Sequence, residues 1–283
     1  MTVPLSVFVL TYNSESDIEP CLESVSGLVD ELFIVDSFST DRTVEIAKRY
    51  TQNIYFNKFG NYAIQRNWAM GNLPLRNEWV LHLDADEYLT PELKEEIASL
   101  LPNNTGGIDG FHIKRRFVFL GRWLRFGGNY PQVELRLWRR STARVIDAGA
   151  LEYIAIKGRT GTLCNDMMHE NQRGISAWIT KVNMVSDWEA EEIISGAGAA
   201  RLRDISETEY VELAKTRWLR TKVWNRLPLI VRPFLLFIFR YFIKLGFLDG
   251  GPGFIYSSLM HYWYHFLVCT KIREKKLQKS RLY

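Results

Sequence analysis

Cysteine is scarce in this chain of 283 residues, and the three that occur stand far apart. They are Cys21, Cys164 and Cys269. No two of them have the spacing of a disulfide framework, a redox motif or a zinc site, so we expect reduced thiols in apolar positions. Residues 1–10 also lack the basic segment and the cleavage site of a secretory signal, which predicts a protein that stays in the cytosol.

Long uncharged hydrophobic runs are missing as well. The longest apolar stretch, 229–248, contains Arg232, Arg240 and Lys244, which argues against a helix that crosses a bilayer. Glycine and lysine are absent from 10–17, LTYNSESD, where a nucleotidyltransferase would carry a glycine-rich, basic phosphate loop. The first absence argues against a membrane span, and the second argues against nucleotidyl transfer.

The most informative segment is 79–87, WVLHLDADE, in which an apolar run leads directly into acid. The pattern predicts a buried strand that places Asp84 and Asp86 at the edge of a sheet. Carboxylates are hard oxygen ligands that suit Mg²⁺ or Mn²⁺, and such an ion neutralises charge on a departing nucleotide. Because an Asp-x-Asp triplet also arises by chance after a strand, its meaning depends on the rest of the chain.

Two earlier segments share this pattern. The apolar runs 5–11 and 32–35 both end in polar residues, and both precede apolar residues at helical spacing. Strands that alternate with helices predict a parallel α/β sheet, whose ligands bind beyond the carboxyl ends of the strands. Three polar strand ends are therefore expected to meet at one crevice.

Four segments, taken in order and spacing, resemble the inverting nucleotide-sugar glycosyltransferases of family 2, which have the GT-A fold. They are VFVLTYNSESDIEPCLESV (7–25), ELFIVDSFSTDRTVEIAKRY (31–50), AIQRNWAM (63–70) and WVLHLDADEYLTPEL (79–93). Segments 119–140, 144–154 and 242–267 resemble the bacterial subgroup that includes the lipopolysaccharide core β-glucosyltransferases. The resemblance implies an α/β, Rossmann-like, mostly parallel sheet flanked by helices. It implies a catalytic domain over 1–195, with its nucleotide-sugar half near 1–105 and its acceptor half near 106–195.

The same resemblance implies roles for residues at the strand ends. For a Mg²⁺ or Mn²⁺ ion it implies Asp86 as a direct ligand, Asp84 as a ribose or water-mediated contact, and His169 as an additional ligand. The predicted nucleotide-sugar contacts are Thr11, Tyr12, Asn13, Glu15, Asp36, Arg66, Asp84 and Arg136. Alternatively, Asp36 shapes a turn with Ser39 and Asp41, Arg66 is an exposed helical cation, His169 is a bystander and Arg136 belongs to an ordinary buried strand.

The catalytic base is assigned to Glu152. In the subgroup this stretch usually ends in His-Glu, and here Leu151 replaces the histidine. Asp147 and Glu134 compete for the role, and each of these carboxylates has an ordinary surface strand position as its alternative. Segment 121–130 combines aromatic residues, cations and glycines, which suits a loop that closes over sugar and diphosphate.

A cluster of five cations follows the predicted nucleotide half. It comprises Lys114, Arg115, Arg116, Arg139 and Arg140. These side chains either recognise a phosphorylated acceptor or are solvated charge. The sequence leaves both interpretations open.

The C-terminal region is basic and rich in aromatic residues. From residue 215 onward there are 14 lysines and arginines against two acids, a net charge of +12, whereas residues 1–214 carry 22 bases and 30 acids, −8. We predict a helical, amphipathic, membrane-associating extension over 196–283, with a hairpin that breaks at 249–253 and a basic run at 271–281. Its expected partner is an anionic membrane surface and not nucleic acid, and the alternatives are a homo-oligomer interface or a helix pair packed on the catalytic domain.

We interpret the sequence as that of an inverting, metal-dependent glycosyltransferase. It is expected to move a hexose from a nucleotide sugar, and the nucleotide is expected to be UDP. The resemblance implies a lipid-anchored bacterial acceptor, such as lipopolysaccharide core or a polyprenyl-linked intermediate. It implies a peripheral position on the cytoplasmic face of the inner membrane. The alternatives are a nucleotidyltransferase and a noncatalytic membrane-binding protein that retains the fold, and the intact Asp84 and Asp86 argue against the second of these.

Overall fold

A computed structural model describes residues 2–101, 106–148, 151–196 and 227–281 of the chain, without the side chains of 148, 151–153 and 281. Its strands are β1 (Val3–Thr11), β2 (Val29–Asp36), β3 (Ile54–Phe56), β4 (Trp79–Asp84), β5 (Glu87–Leu89), β6 (Ile108–Phe119), β7 (Arg122–Trp123), β8 (Gln132–Arg139), β9 (Ala143–Ala148), β10 (Leu151–Ile156) and β11 (Arg159–Glu170). Its helices are α1 (Ile18–Val25), α2 (Thr43–Ala47), α3 (Tyr62–Asn72), α4 (Pro91–Leu100), α5 (Gly174–Ser195), α6 (Arg232–Ile238), α7 (Gly250–Tyr256) and α8 (His265–Arg281). π-Helical turns occupy Phe239–Ile243 and Ser257–Tyr264, and a 3₁₀ turn occupies Gly246–Asp249.

The central sheet has the strand order β3-β2-β1-β4-β8-β6-β11-β5, and β7 pairs with the last two residues of β6. Strands β3, β2, β1, β4, β6 and β11 run in one direction, while β5, β7 and β8 run in the other. A separate two-stranded sheet joins β9 and β10. The predicted α/β class, with a mostly parallel sheet flanked by helices, is confirmed.

Helices cover both faces of the sheet because successive residues of each strand point to opposite sides. In β1, Val7 and Val9 pack into one cluster with residues of α1, α2 and α4, whereas Phe8 packs into a second cluster with Ala69 of α3. All three β1 residues are fully buried. Burial of each such side chain stabilises the fold by about 1.5–3 kcal/mol for the larger apolar residues.

The chain divides by contact into two compact units. The first comprises Met1–Trp123, Tyr130–Ile146 and Glu152–Gly174, and the second comprises Leu124–Asn129, Asp147–Leu151 and Ile175–Tyr283. The predicted boundary between 195 and 196 adjoins a segment, 197–226, that lies outside the described residues. That boundary stays a prediction.

In the second unit, α5 packs against the C-terminal helices. Their shared cluster consists of Val182, Ala190, Tyr264, Val268 and Ile272. Lys271 Nζ lies 2.8 Å from Asp187 Oδ2, and Lys275 Nζ lies 2.5 Å from Glu191 Oε1. Helix α5 therefore has a packing partner in the C-terminal helices. Over the described ranges, no helix has both the length and the hydropathy needed for a membrane span.

The predicted break at 249–253 is present at its first residues and begins earlier in the chain. Leu245 has a left-handed φ of 59°, and Gly250, where α7 begins, has a φ of 68°. Proline is tolerated in a first helical turn because the amide hydrogen it lacks has no helical acceptor there. Pro252 therefore lies in the first turn of α7, and the change of direction covers 244–250.

A loop from the middle of the chain is attached to this change of direction. The Asp249 carboxylate accepts the amides of Arg125 and Phe126 at 3.1 and 2.9 Å. Arg240 Nη1 donates to two carbonyl oxygens of loop 124–129 at 3.0 and 3.2 Å. We call this set of contacts the loop clamp. It holds the backbone of part of the segment predicted to close over the sugar, and that predicted role stays a prediction.

Candidate functional site

The carboxyl ends of three neighbouring parallel strands carry polar side chains. Thr11 of β1 lies opposite Asp36 of β2, and Leu10 of β1 lies opposite Asp84 of β4. Thr11 Oγ1 donates to Asp36 Oδ1 at 2.8 Å. The structure thus brings together the three strand ends that the sequence pattern predicts, all within the first unit.

The loops after β1 and β2 are joined by hydrogen bonds. The amide of Asn13, a residue with a left-handed φ of 46°, donates to Ser39 Oγ at 2.9 Å, and Asn13 Oδ1 accepts the amide of Thr40 at 2.8 Å. Glu15 Oε2 accepts the amide of Arg42 at 3.1 Å. The side chain of Tyr12 stays 55% exposed.

Asp36 is fully buried and accepts hydrogen bonds from its own turn. Its Oδ2 accepts the Ser39 amide at 2.7 Å, and its Oδ1 accepts the Ser39 hydroxyl at 2.5 Å. Asp41 accepts the amides of Thr43 and Glu15 at 3.0 and 3.1 Å. Asp36 therefore does shape the turn, and its predicted contact with a nucleotide stays a prediction.

Asp84 is held by two buried guanidinium groups. Arg66 Nη2 donates to Asp84 Oδ1 and Arg136 Nη2 donates to Asp84 Oδ2, each at 3.2 Å. The His82 ring lies between the two arginines, with Nε2 at 2.9 Å from Arg66 Nε and Nδ1 at 2.9 Å from Arg136 Nη1. The exposed fractions of Arg66 and Arg136 are 2% and 5%, so the alternative of Arg66 as an exposed helical cation is wrong.

The pKa values of this cluster shift in ways that fix its charges. Burial raises the pKa of the Asp84 carboxyl, but Arg136, Arg66 and His82 together hold it well below its usual value. Burial and the two guanidiniums lower the pKa of His82 well below 6.5. Burial lowers the pKa of Arg66 to about 10, whereas Glu87 and Asp84 outweigh burial and raise that of Arg136. At neutral pH the cluster therefore holds an ionised Asp84, a neutral His82 and two charged arginines.

Glu87 continues the cluster behind Asp84. Its Oε2 accepts the Asp84 amide at 3.1 Å, and its Oε1 lies 2.6 Å from Arg136 Nη2 and 3.3 Å from Arg115 Nη1. Glu87 is fully buried. A buried charge requires partners, and here carboxylates and guanidiniums compensate one another.

Asp86 points to a different set of partners. His169 Nε2 lies 3.3 Å from Asp86 Oδ2, and Asn171 Nδ2 donates to the same oxygen at 3.1 Å. The carbonyl oxygen of Asp86 accepts the Glu170 amide at 3.0 Å. Asp86 is 5% exposed. The predicted proximity of His169 to the acidic motif is thus present in the structure.

Asp86 and His169 are placed so that they could fill two neighbouring coordination positions of one divalent ion. Neighbouring ligands of an ion with bonds of about 2.1 Å lie about 3 Å apart, close to the 3.3 Å between Asp86 and His169. Mg²⁺ keeps several waters and phosphate oxygens, so few protein donors are needed. Within the described part of the chain, no group of three or more histidine, cysteine, aspartate or glutamate side chains is placed to hold a metal. Asp84 is engaged by arginines, and its predicted metal contact stays a prediction.

The candidates for the base occupy different strands. Glu152 lies in β10, and its side chain is outside the described part of the structure. Glu134 of β8 has a side chain 42% exposed, with an oxygen 3.6 Å from Arg115 Nη2, and Asp147 lies in β9. The assignment to Glu152 stays a prediction.

The five cations that the sequence leaves open between a phosphorylated acceptor and solvated charge all have partners within the protein. Arg116 Nε donates to Asp166 Oδ2 at 2.6 Å, and Lys114 Nζ lies 3.6 Å from the same carboxylate. Arg115 Nη2 donates to Gln132 Oε1 at 2.6 Å. Arg139 Nε lies 3.6 Å from Asp109 Oδ1, and Arg140 Nη1 donates to the Leu75 carbonyl at 2.5 Å. Their contact with an acceptor stays a prediction.

Sequence reasoning did not single out several members of the site. They are Asp17, His82, Glu87, Asn171 and Arg173. A signal existed for His82, a polar residue inside an otherwise apolar strand, and for Glu87, which completes the acidic triplet. No local pattern marks Asn171 or Arg173, because their contacts join residues more than 80 positions apart.

Parallel strands with polar ends at one sheet edge define the class: an α/β protein that binds its ligand beyond the strand ends. Comparison with known proteins identifies the family. The model of Glycosyl transferase family 2 matches residues 6–151, slightly more than half of the chain. The chain therefore belongs to glycosyl transferase family 2 and is a glycosyltransferase.

Named relatives match along nearly the whole chain. An uncharacterized glycosyltransferase of Rickettsia bellii (strain RML369-C) is 26% identical, with 98% of this chain and 89% of the relative covered. The lipopolysaccharide core biosynthesis glycosyltransferase LpsC of Rhizobium meliloti (strain 1021) is 25% identical, with 99% and 95% covered. The crystal structure of S. aureus TarS 1–349 in complex with UDP is 17% identical, with 96% of this chain and 91% of that chain covered and a TM-score of 0.45.

Proposed function

We propose that this chain is an inverting, metal-dependent hexosyltransferase that uses a nucleotide sugar, UDP-linked, and a lipid-anchored bacterial glycan as acceptor. The observation that carries the proposal is the pair Asp86 and His169, 3.3 Å apart beside the polar ends of β1, β2 and β4. Membership of the family supports a sugar donor. The similarity to LpsC, a lipopolysaccharide core biosynthesis glycosyltransferase, supports lipopolysaccharide core as the acceptor class.

In this mechanism the residues of the chain divide the work. An ion bound by Asp86 and His169 would neutralise charge on the leaving diphosphate. Arg66 and Arg136 keep Asp84 ionised and fixed in orientation toward the ribose or a bound water. Glu152 takes the proton of the acceptor hydroxyl as that oxygen attacks the anomeric carbon. A single displacement inverts the anomeric centre, so no nucleophile of the enzyme is required.

The proposal includes attachment to the cytoplasmic face of the inner membrane. The C-terminal helices expose many large apolar side chains: Phe234, Leu235, Phe239, Phe242, Ile243, Leu245, Phe247, Leu248, Phe254 and Ile255. The net charge of +12 over residues 215–283 complements anionic lipid. Exposed apolar surface of this extent marks an interaction site, and the charge favours a lipid headgroup region as its partner.

Donor binding provides the direct test of the proposal. Purified full-length protein is heated with UDP-glucose, UDP-galactose, UDP-N-acetylglucosamine or GDP-mannose, each with and without Mn²⁺. We expect a UDP-sugar to raise the melting temperature in the presence of Mn²⁺, and we expect slow Mn²⁺-dependent hydrolysis of that sugar. Asp86→Ala should abolish both effects, whereas Asp30→Ala, at the start of β2, should retain them. Absence of any nucleotide-sugar effect on the unaltered chain would refute the proposal.

A second experiment tests the assignment of the base. Glu152→Gln should bind UDP with Mn²⁺ as tightly as the unaltered chain, because the base acts on the acceptor. Transfer should fall by about 10²–10⁴, the usual contribution of a positioned general base. Glu134→Gln, at the competing carboxylate, should retain transfer, and Glu78→Gln serves as the matched control. Normal transfer by the Glu152 variant moves the role to another residue.

A further inference from the structure

The segment that follows β11 connects two parts of the site that are far apart in sequence. We call residues 169–173 the strap. At its first end the strap contacts Asp86: the Glu170 amide donates to the Asp86 carbonyl at 3.0 Å, and Asn171 Nδ2 donates to Asp86 Oδ2 at 3.1 Å. These bonds fix one carboxylate oxygen of Asp86 and the backbone beside it.

At its other end the strap contacts the loop after β1. The Gln172 amide donates to Asp17 Oδ1 at 2.7 Å, and Arg173 Nε lies 2.9 Å from Asp17 Oδ2. Arg173 Nη1 donates to the Tyr12 carbonyl at 3.2 Å. The strap therefore holds the backbone of a residue that the family resemblance assigns to nucleotide contact.

Asp17 contacts the strap and does not cap the helix that follows it. It precedes α1 at the position where aspartate commonly caps a helix, yet its side chain makes no capping hydrogen bond. Its side chain is fully buried and faces the strap instead. The carboxylate accepts the Gln172 amide and lies beside the Arg173 guanidinium, an opposite charge.

A single side chain connects the two ends of the strap. Asn171 donates through Nδ2 to Asp86 and accepts the Arg173 amide through Oδ1 at 3.1 Å. Asp86, Asn171, Arg173 and the Tyr12 carbonyl therefore form one continuous series of hydrogen-bonded contacts. Side chains that orient a metal ligand tune the affinity of the site for the ion, typically by tenfold to a hundredfold.

We propose that the strap couples binding of a divalent cation at Asp86 to binding of a nucleoside diphosphate at loop 11–17. Asn171 and Arg173 are its positioning residues. The inference rests on the proposed function, since it requires a cation and a nucleotide as ligands. Coupling of this kind is reciprocal: the factor by which the cation tightens nucleotide binding equals the factor by which the nucleotide tightens cation binding.

Calorimetric titration of the full-length protein measures this factor. UDP is titrated with and without Mn²⁺, and Mn²⁺ is titrated with and without UDP. The unaltered chain should show a coupling factor of about 10 or more. Arg173→Gln should retain the affinity for Mn²⁺ alone but reduce the coupling factor at least threefold. Asn171→Ser should weaken binding of Mn²⁺ alone about tenfold.

Matched controls separate the strap from general stability. Arg49→Gln removes an ion pair of 3.0 Å with Glu19. Asn165→Ser removes the hydrogen bond of 2.9 Å that Asn165 Nδ2 donates to Glu96 in the same unit. Both should leave the coupling factor unchanged. Arg173→Lys retains a charge for Asp17 and protects the fold if the glutamine variant unfolds. The lysine side chain is shorter than arginine and should not reach the Tyr12 carbonyl, so the coupling factor should still fall.

The outcomes distinguish the two proposals. An unaltered chain that binds neither UDP nor Mn²⁺ refutes the proposed function and the strap with it. An unaltered chain that binds both, while Arg173→Lys and Asn171→Ser retain the full coupling factor and the full Mn²⁺ affinity, overturns the strap alone. The same holds for an unaltered chain that binds both ligands without coupling.

Discussion

The site of the first unit and the C-terminal helices of the second unit carry opposite exceptions to the rule that polar groups are exposed and apolar groups are buried. Arg66 and Arg136 are charged and only 2% and 5% exposed. Phe242 and Ile243 are apolar and 53% and 66% exposed. Each exception costs free energy unless something compensates it. In the site the compensating groups are in the chain itself, whereas for the helices the proposed compensation is a lipid surface.

A pair of buried histidines provides the strongest test of this comparison. Each ring nitrogen of His82 contacts a guanidinium at 2.9 Å, whereas His261 Nε2 has no hydrogen-bond partner within the described ranges. His82→Leu should lower the free energy of unfolding by about 3 kcal/mol, because the neutral ring accepts from one guanidinium and its removal leaves that buried charged donor short of an acceptor. His261→Leu should change it by less than about 1 kcal/mol. Urea unfolding of both variants measures the difference, and equal losses would break the comparison.

The exposed apolar side chains give the next largest effect. Phe242→Asp combined with Ile243→Asp should weaken binding to vesicles of phosphatidylcholine and phosphatidylglycerol about a hundredfold, since two large residues no longer enter the headgroup region. Phe38→Asp combined with Phe56→Asp makes the same change of charge and removes two residues that are 57% and 50% exposed in the first unit. That control pair should retain vesicle binding in a co-sedimentation assay. Equal losses would indicate a nonspecific effect of charge.

The smallest expected effect is a change in pH dependence. Burial lowers the pKa of His261 to about 3, and the charges of Arg240 and His265 act in the same direction. Between pH 6.5 and 3 the unfolded chain therefore binds a proton that the folded chain does not, so the free energy of unfolding falls as the pH falls. His261→Leu should lose about 1.6 kcal/mol less than the unaltered chain between pH 6.5 and 5. Parallel urea titrations at the two pH values check this, and identical losses would contradict the pKa shift.

The strands that carry the site are predictable from local pattern alone. An apolar run that ends in polar residues is sufficient for β1, β2 and β4, because buried parallel strands have apolar side chains on both faces. The same reasoning locates Asp36, Asp84 and Asp86 at one edge of the sheet. Helix α5 is predictable for a related reason, since apolar residues recur along it at helical spacing.

The partners of Asp84 are not predictable in this way. Leu81 lies opposite Leu137 in the antiparallel pairing of β4 with β8, and the same register continued by one residue brings Arg136 opposite His82. A sequence read locally contains no information about which distant strand pairs with β4 or in which register. The arginine contacts that fix the charge of Asp84 therefore depend on tertiary structure.

The start of the break in the C-terminal helices has a similar origin. Glycine and proline predict an interruption at 249–253, and Gly250 is left-handed there, but the leucine Leu245 adopts the left-handed conformation as well. A Cβ on Gly246 would lie 3.0 Å from the Arg240 carbonyl and 3.4 Å from Gly127. The position of the turn is thus set by a close backbone approach to a loop more than 100 residues away.

Because of the loop clamp, the sequence changes that loop 124–129 tolerates depend on the sequence of residues 240–249. A side chain at Gly128, which has a left-handed φ of 76°, would collide with the Arg240 guanidinium. An insertion in 124–129 would also misalign the amides that reach Asp249. Relatives that differ in the length of this loop should therefore differ at 240–249 as well, and an alignment deep enough to include them should show the two stretches changing in concert.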